Sequence, residues 1–227
     1  PRSTPKPSSA ASDVYKRQVM GSNECVMAFP TRVIGLTADP SDPNDVYAAL
    51  EVAGVIRSSD GGDSWEEITG SLAPSEDTLD LHGIQCAAAS PHTVYITTRQ
   101  GPFIGPDRGR EWIPVEFGNF SPITYTRDLK TAPHDPSLMY VSIGAAARSA
   151  QGALYRSRDL FRTFERVDHG IEATSTMMAV GIDPRSPNNI FCIARDGQAF
   201  GTVDDGASWT TYKLPDKAKE LRGLAVG

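Results

Sequence analysis

The chain repeats itself, and the period decides what it can fold into. Ser58-Ser59-Asp60-Gly61-Gly62-Asp63-Ser64-Trp65 returns as Thr202-Val203-Asp204-Asp205-Gly206-Ala207-Ser208-Trp209. Two worn copies lie between them: Gly105-Pro106-Asp107-Arg108-Gly109-Arg110-Glu111-Trp112 and Ser157-Arg158-Asp159-Leu160-Phe161-Arg162-Thr163-Phe164. Their closing aromatics stand at 65, 112, 164 and 209, in steps of 47, 52 and 45. A second motif keeps the same rhythm. Asp39-Pro40 through Val46-Tyr47 recurs as Asp183-Pro184 through Ile190-Phe191, 144 residues on, or three steps of 48. Shorter versions begin at Ser90-Pro91 and Asp135-Pro136.

Each unit reads as four short strands. In the first they are Val33–Ala38, Val46–Leu50, Val55–Ser58 and Ser64–Ile68, β-branched and aromatic runs between Gly, Pro, Asn and Asp turns. The Asp-Pro stretch makes the first turn, because Pro presets φ and Asp satisfies nearby backbone donors. The SxDxGxSW stretch makes the third: Asp accepts from loop amides, Gly takes a positive φ, and Trp seals against the neighbouring sheet. A four-stranded sheet that cannot bury both faces alone, repeated every 45–52 residues, predicts an all-β propeller. Its blades fall at about 31–70, 82–117, 124–168 and 178–214, and Leu221-Arg222-Gly223-Leu224 opens a further first strand over 221–227. A ring of six to eight blades needs roughly 290–380 residues, so the expectation for 21–227 is part of a propeller.

The box residues Ser58, Asp60, Gly62, Ser64 and Trp65 resemble the Asp-box, or BNR repeat, as do Asp107, Gly109 and Trp112, then Ser157, Asp159, Thr163 and Phe164, and finally Thr202, Asp204, Gly206, Ser208 and Trp209. The chain thus resembles the Asp-box β-propellers: sialidases, xyloglucan-active glycoside hydrolases, sortilin-type receptors and photosystem II assembly factors with BNR or WD40/YVTN-like repeats. In those families the box lies on the lower rim, away from the active face, which implies a structural role here.

Residues 1–18 (PRSTPKPSSAASDVYKRQ) carry Ser, Pro and Ala without apolar periodicity and resemble translated adapter sequence, so 1–20 is expected to be non-native or disordered. They hold no apolar h-region, and no stretch in the chain nears the 18 or so apolar residues of a membrane span. The expected location is cytoplasmic. Cys25, Cys86 and Cys192 are odd in number and lack metal-like spacing, which suits buried thiols better than disulfides or zinc. Twenty-two Lys and Arg against 28 Asp and Glu give a net charge of −6, the wrong balance for nucleic acid or an anionic membrane surface.

No GxSxG elbow, HExxH, P-loop or GxGxxG occurs. Neither a metal nor a cofactor is expected. The resemblance to sialidases implies an arginine triad, but Phe29-Pro30-Thr31-Arg32-Val33 displaces the Arg and lacks the following Ile-Pro, so no catalytic residue carries over. The positive clue is positional. In a propeller the first-strand starts and the loops between strands two and three open on the upper face. The starts carry Arg32, His82, Tyr125, Arg127 and Arg222; the loops carry Glu51, Arg99, Arg148 and Arg195. This predicts a basic site for an anionic small molecule, glycan or protein segment, in a non-catalytic binding or scaffold domain. The alternative is a glycoside hydrolase of sialidase-like or xyloglucanase-like type, with a carboxylate pair in the loops.

Overall fold

A computed structural model describes residues 31–72 and 75–227; the expectations for 1–20 and for Cys25 lie outside them. Sixteen strands form four antiparallel sheets, each taken in chain order. The first holds β1 (Val33–Asp39), β2 (Asp42–Leu50), β3 (Gly54–Ser58) and β4 (Glu66–Glu67). The second holds β5 (Leu81–Ala87), β6 (Ser90–Thr98), β7 (Pro102–Gly105) and β8 (Ile113–Pro114). The third holds β9 (Tyr125–Ala132), β10 (Asp135–Gly144), β11 (Gly152–Ser157) and β12 (Glu165–Arg166), and the fourth β13 (Met177–Ile182), β14 (Ile190–Ala194), β15 (Ala199–Thr202) and β16 (Thr210–Tyr212). Helical turns are no longer than four residues, at Glu76–Leu79 and Pro106–Gly109. These are the four blades the repeat demands. The outermost strand is shorter than expected, two residues at β4 rather than Ser64–Ile68, because the box occupies the chain up to Trp65.

The box closes on its own hydroxyls. Ser58 Oγ donates to Asp60 Oδ1 at 2.6 Å and accepts from the Gly62 amide at 2.8 Å. Asp60 then accepts from the Ser64 amide at 2.9 Å and the Ser64 hydroxyl at 2.5 Å. Thr202, Asp204 and Ser208 repeat the same net, and so do Ser157, Asp159 and Thr163. In the second blade Gly105 stands where the hydroxyl should be, and Asp107 instead pairs with Arg110 at 3.2 Å. The box bends through a left-handed pair, Gly61-Gly62 and Asp205-Gly206 in the full copies. In the third blade that pair is Leu160-Phe161, at φ 60° and 72°. Two side chains there cost about 1–2 kcal/mol each. Burying Phe161 against Tyr95 and Phe164 returns about 1.5–3 kcal/mol, enough to offset most of the strain.

Neighbouring blades are joined at both radii. At the inner strands, an aliphatic side chain lies over the glycine of the preceding blade: Ile84 over Gly35, Leu129 over Gly83. Farther out, the box Trp spans the joint. Trp112 Nε1 donates to the Ile68 carbonyl at 2.8 Å, and Trp209 Nε1 to the Val167 carbonyl at 2.8 Å. Trp65, which has no earlier blade among the described residues, donates to its own Gly62 carbonyl. The lower rim adds ions across the same joints: Arg57 and Arg108 meet on Asp45, and Arg156 and Arg158 meet on Asp205. Cys86 and Cys192 are buried free thiols, and burial pushes the Cys86 thiol up to about 12.

Residues 221–227 form no strand. Every first strand here bonds only to the second strand of its own blade, and no second strand lies beside residues 221–227 among the described residues. The segment still takes the packing place: Leu224 and Val226 lie against Gly181 as Ile84 does against Gly35, and Leu221 joins Met178, Ala179 and Ile193.

Two outcomes follow for stability. Trp112→Ala should lose about 3–5 kcal/mol, whereas Trp112→Phe, which keeps an aromatic ring but loses the bond to Ile68 and part of the buried indole, should lose about 1–2 kcal/mol; urea denaturation separates the two. Ser58 and Ser64 hold the Asp60 carboxyl well below the usual range, and Ser208 and Thr202 bring Asp204 to about 2. A carboxyl depressed in the fold stabilises above its unfolded pKa, and that support fades as pH falls below about 4. The urea midpoint should therefore drop between pH 5 and 2, and drop less in an Asp60→Asn, Asp204→Asn double variant.

Candidate functional site

Antiparallel order puts the first-strand starts and the loops between second and third strands at one end of every blade, and the boxes at the other. The upper end is shaped by a β-bulge in each first strand. Pairing slips between Val33 and Gly35, Leu81 and Gly83, Thr126 and Asp128, and Met177 and Ala179. The residues left out of register are Ile34, His82, Arg127 and Met178. A bulge turns its extra side chain out of the pleat, so His82 and Arg127 occupy one structural position in adjacent blades. Arg222 holds that position by sequence alone, in Leu-Arg-Gly against Leu81-His82-Gly83. Arg32 comes two residues before it.

The nine upper-face residues separate into three groups plus Arg222. In the first blade, Arg32 Nε donates to Glu51 Oε2 at 2.6 Å, with Nη2 at 2.5 Å. In the fourth, Arg195 Nε and Nη2 donate to Glu220 Oε2 at 2.9 and 2.6 Å, and Arg148 Nη2 reaches the same oxygen at 3.5 Å. Between the second and third blades stand His82, Arg99, Tyr125 and Arg127. There Arg99 Nε is 3.3 Å from Asp77 and 3.9 Å from Asp80, and Asp80 is 3.5 Å from His82 Nε2. Asp77, Asp80 and Glu220 were not singled out in the sequence. Asp80 could have been found, since it aligns with Arg32, and so could Glu220, since Leu221-Arg222-Gly223 set against Leu81-His82-Gly83 places it on Asp80.

The hydrogen bonds of the central group assign its protons. His82 Nδ1 lies 2.6 Å from the Thr126 carbonyl, which can only accept, so Nδ1 carries the hydrogen. In the neutral ring Nε2 is then an acceptor for the Tyr125 hydroxyl at 3.3 Å, and in the imidazolium it faces the Asp80 carboxylate at 3.5 Å. Tyr125 OH accepts from Arg127 Nη1 at 3.2 Å, since a guanidinium can only donate. The Tyr125 ring packs 4.9 Å from the His82 ring, and the Arg127 guanidinium carbon lies 5.9 Å from the Tyr125 centroid, within cation–π range. Tyr125 is buried, and 4% of the His82 side chain is exposed. Arg127 Nε is buried without a hydrogen-bond partner. Among the described residues no carboxylate lies within ion-pair distance of Arg127, in contrast to Arg32, Arg99, Arg148 and Arg195.

On the lower rim Asp39, Asp45 and His92 bring ligand atoms within 4.8 Å of one another. Their chemistry is already occupied: Asp45 holds two guanidiniums, and Asp39 accepts from Ser41 and from the His92 amide at 2.7 Å. That cluster ties the Asp39-Pro40 turn to the Ser90-Pro91 turn of the next blade. Among the described residues no helix is long and apolar enough to cross a membrane.

Comparison with known proteins agrees with this architecture. A family model for Sortilin-Vps10, described as sortilin, neurotensin receptor 3, matches residues 53–199. None of the curated proteins matches the sequence. Among solved structures, the GH74 xyloglucanase of Xanthomonas campestris superposes with a TM-score of 0.62 at 19% identity, over 78% of this chain and 29% of that one. YCF48 bound to D1 peptide gives 0.61 at 16%, over 88% and 60%, and the nidogen/laminin complex 0.63 at 12%, over 86% and 68%. The chain spans under a third of the length of the xyloglucanase. At such identities the likeness is one of fold.

The proton assignment is directly measurable. Nitrogen-detected NMR of the neutral His82 ring should show hydrogen on Nδ1, and Tyr125→Phe should shift the Nε2 resonance while leaving that tautomer unchanged.

Proposed function

The chain belongs to the Sortilin-Vps10 family, and from that premise we propose that it is a non-catalytic binding module whose upper face takes an anionic partner between the second and third blades. The observation that carries this reading is Arg127. It is the bulge residue of β9, its Nε is desolvated and unpartnered, and no acid neutralises it among the described residues. A buried donor without a partner is costly to leave unmet, by about 1–3 kcal/mol, and an oxyanion that reaches it removes that penalty. Tyr125 steadies one edge of the guanidinium through its hydroxyl, leaving the remaining N–H groups for a ligand. Of the other rim arginines, Arg32, Arg99, Arg148 and Arg195 are spoken for by Glu51, by Asp77 and Asp80, and by Glu220, while Arg222 is exposed.

The structural neighbours include a partner-bound propeller, YCF48 bound to D1 peptide. By analogy the ligand class is an acidic peptide segment, for which charge-assisted hydrogen bonds supply the affinity. GH74 neighbours keep glycan hydrolysis as the competing outcome.

Arg127→Ala should weaken binding of an acidic peptide by about 10- to 100-fold, the worth of one charge-assisted bond. Arg32→Ala, which releases Glu51, should change it less than about threefold. Isothermal titration at low salt reads both. Equal affinity for wild type and Arg127→Ala would sink the proposal, and turnover of xyloglucan oligosaccharides that persists in Arg127→Ala would favour the hydrolase.

A further inference from the structure

Glu220 sits on the strap that leaves β16 and crosses the upper rim toward residues 221–227. Three features mark its placement as built. The strap passes so close to the loop after β14 that a Cβ on Gly197 would lie 2.1 Å from the Ala218 carbonyl oxygen, so only glycine admits it. The strap is pinned there by the Leu221 amide, which donates to the Arg195 carbonyl at 3.1 Å. Glu220 itself is left-handed, at φ 56°, a conformation disfavoured for a side-chain-bearing residue.

What holds that conformation is a guanidinium pair. Arg195 grips Glu220 Oε2 with two nitrogens, Arg148 approaches the same oxygen from the loop of the third blade, and Arg195 Nη1 is fixed by the Ala147 carbonyl at 2.8 Å. The Arg195 side chain is 14% exposed, while half of the Glu220 side chain faces solvent. The arginine is therefore the fixed member and the carboxylate the mobile one. Arg195 hydrogen bonds, and beyond them the charges of Arg148 and Arg222, keep the Glu220 carboxyl below its ordinary range despite desolvation, so it remains an anion at neutral pH.

We propose that Arg148 and Arg195 form a second carboxylate-binding site, occupied in the free protein by Glu220 as an internal substitute and opened when an acidic side chain of a partner segment takes its place. The proposal rests on the upper face being the ligand face, and it adds a distinct site between the third and fourth blades together with its own inhibitor. The carboxylate already seated between the arginines demonstrates the chemistry the cleft accepts. Its seat on a strained, half-exposed strap makes it displaceable. The affinity of a partner bearing an acidic side chain is lowered in proportion to the fraction of time the strap is open.

The test uses the full chain and a fluorescent peptide of six glutamates, titrated by anisotropy at low and moderate salt. Glu220→Gln should bind about tenfold tighter than wild type if the strap is shut about nine-tenths of the time. Asp216→Asn makes the same change in net charge on the same strap, away from the arginines, and should leave affinity within about twofold of wild type. Adding Arg195→Ala to Glu220→Gln should erase the gain. Equal binding by Glu220→Gln and wild type, no binding by either, an equal gain from Asp216→Asn, or a gain that survives Arg195→Ala would each overturn the proposal. Loss of peptide binding in Arg127→Ala reads on the other site and leaves the ratio between Glu220→Gln and wild type as the measure of this one.

Discussion

The contact on which the rest of the fold depends is the one between successive first strands. A four-stranded blade is too thin to bury its own faces, and each is completed by the next: Ile84 against Gly35, Leu129 against Gly83, and Leu224 with Val226 against Gly181. Glycine in the receiving strand lets the aliphatic chain approach the backbone closely, and the dispersion gained across such a surface is collectively large. Beside β1 no earlier blade lies among the described residues, and its apolar side chains show the difference. Val33, Ile34 and Leu36 of β1 are exposed, while Leu36's counterparts Ile84, Leu129 and Val180 are buried. The Trp bonds and the lower-rim ion groups then fasten edges that this inner packing has already brought together.

The fold was legible because its signals are local and recur. An Asp-Pro turn and an SxDxGxSW turn each specify a conformation through residues within eight positions of one another, and four copies at one spacing leave a single architecture. Even the worn copies fold to the same turn, for different reasons. Phe161 is held left-handed by the aromatic cluster around it, and Arg108 by the pull of Asp45 in the blade before. Neither compensation can be seen without knowing what lies across the joint.

The candidate site was legible only in part. Topology placed the basic residues at one end, and that follows from strand order alone. Which of them pair with acids does not. Glu220 reaches Arg195 across 25 positions and Arg148 across 72, contacts set by the close passage of the strap over Gly197 rather than by any repeated motif. Likewise, the slip of register that sets His82 and Arg127 in equivalent places shows in the sequence only as one break of phase in the alternation, hard to read in strands as short as Leu81–Ala87 and Tyr125–Ala132.

That slip has a consequence for how the chain can vary. The out-of-register residue belongs to neither face of the ladder, and its four occupants are Ile34, His82, Arg127 and Met178: an aliphatic, an imidazole, a guanidinium and a thioether. Burial divides the four: Met178 packs with Ala179, Ile193 and Leu221, and His82 bonds to the Thr126 carbonyl, whereas Ile34 is exposed and Arg127 half-buried. At Ile34 and Arg127, recognition and folding draw on separate letters of the same strand. A library randomised at those two positions would resurface the mouth of the propeller while every hydrogen-bonded partner in the sheets keeps its mate.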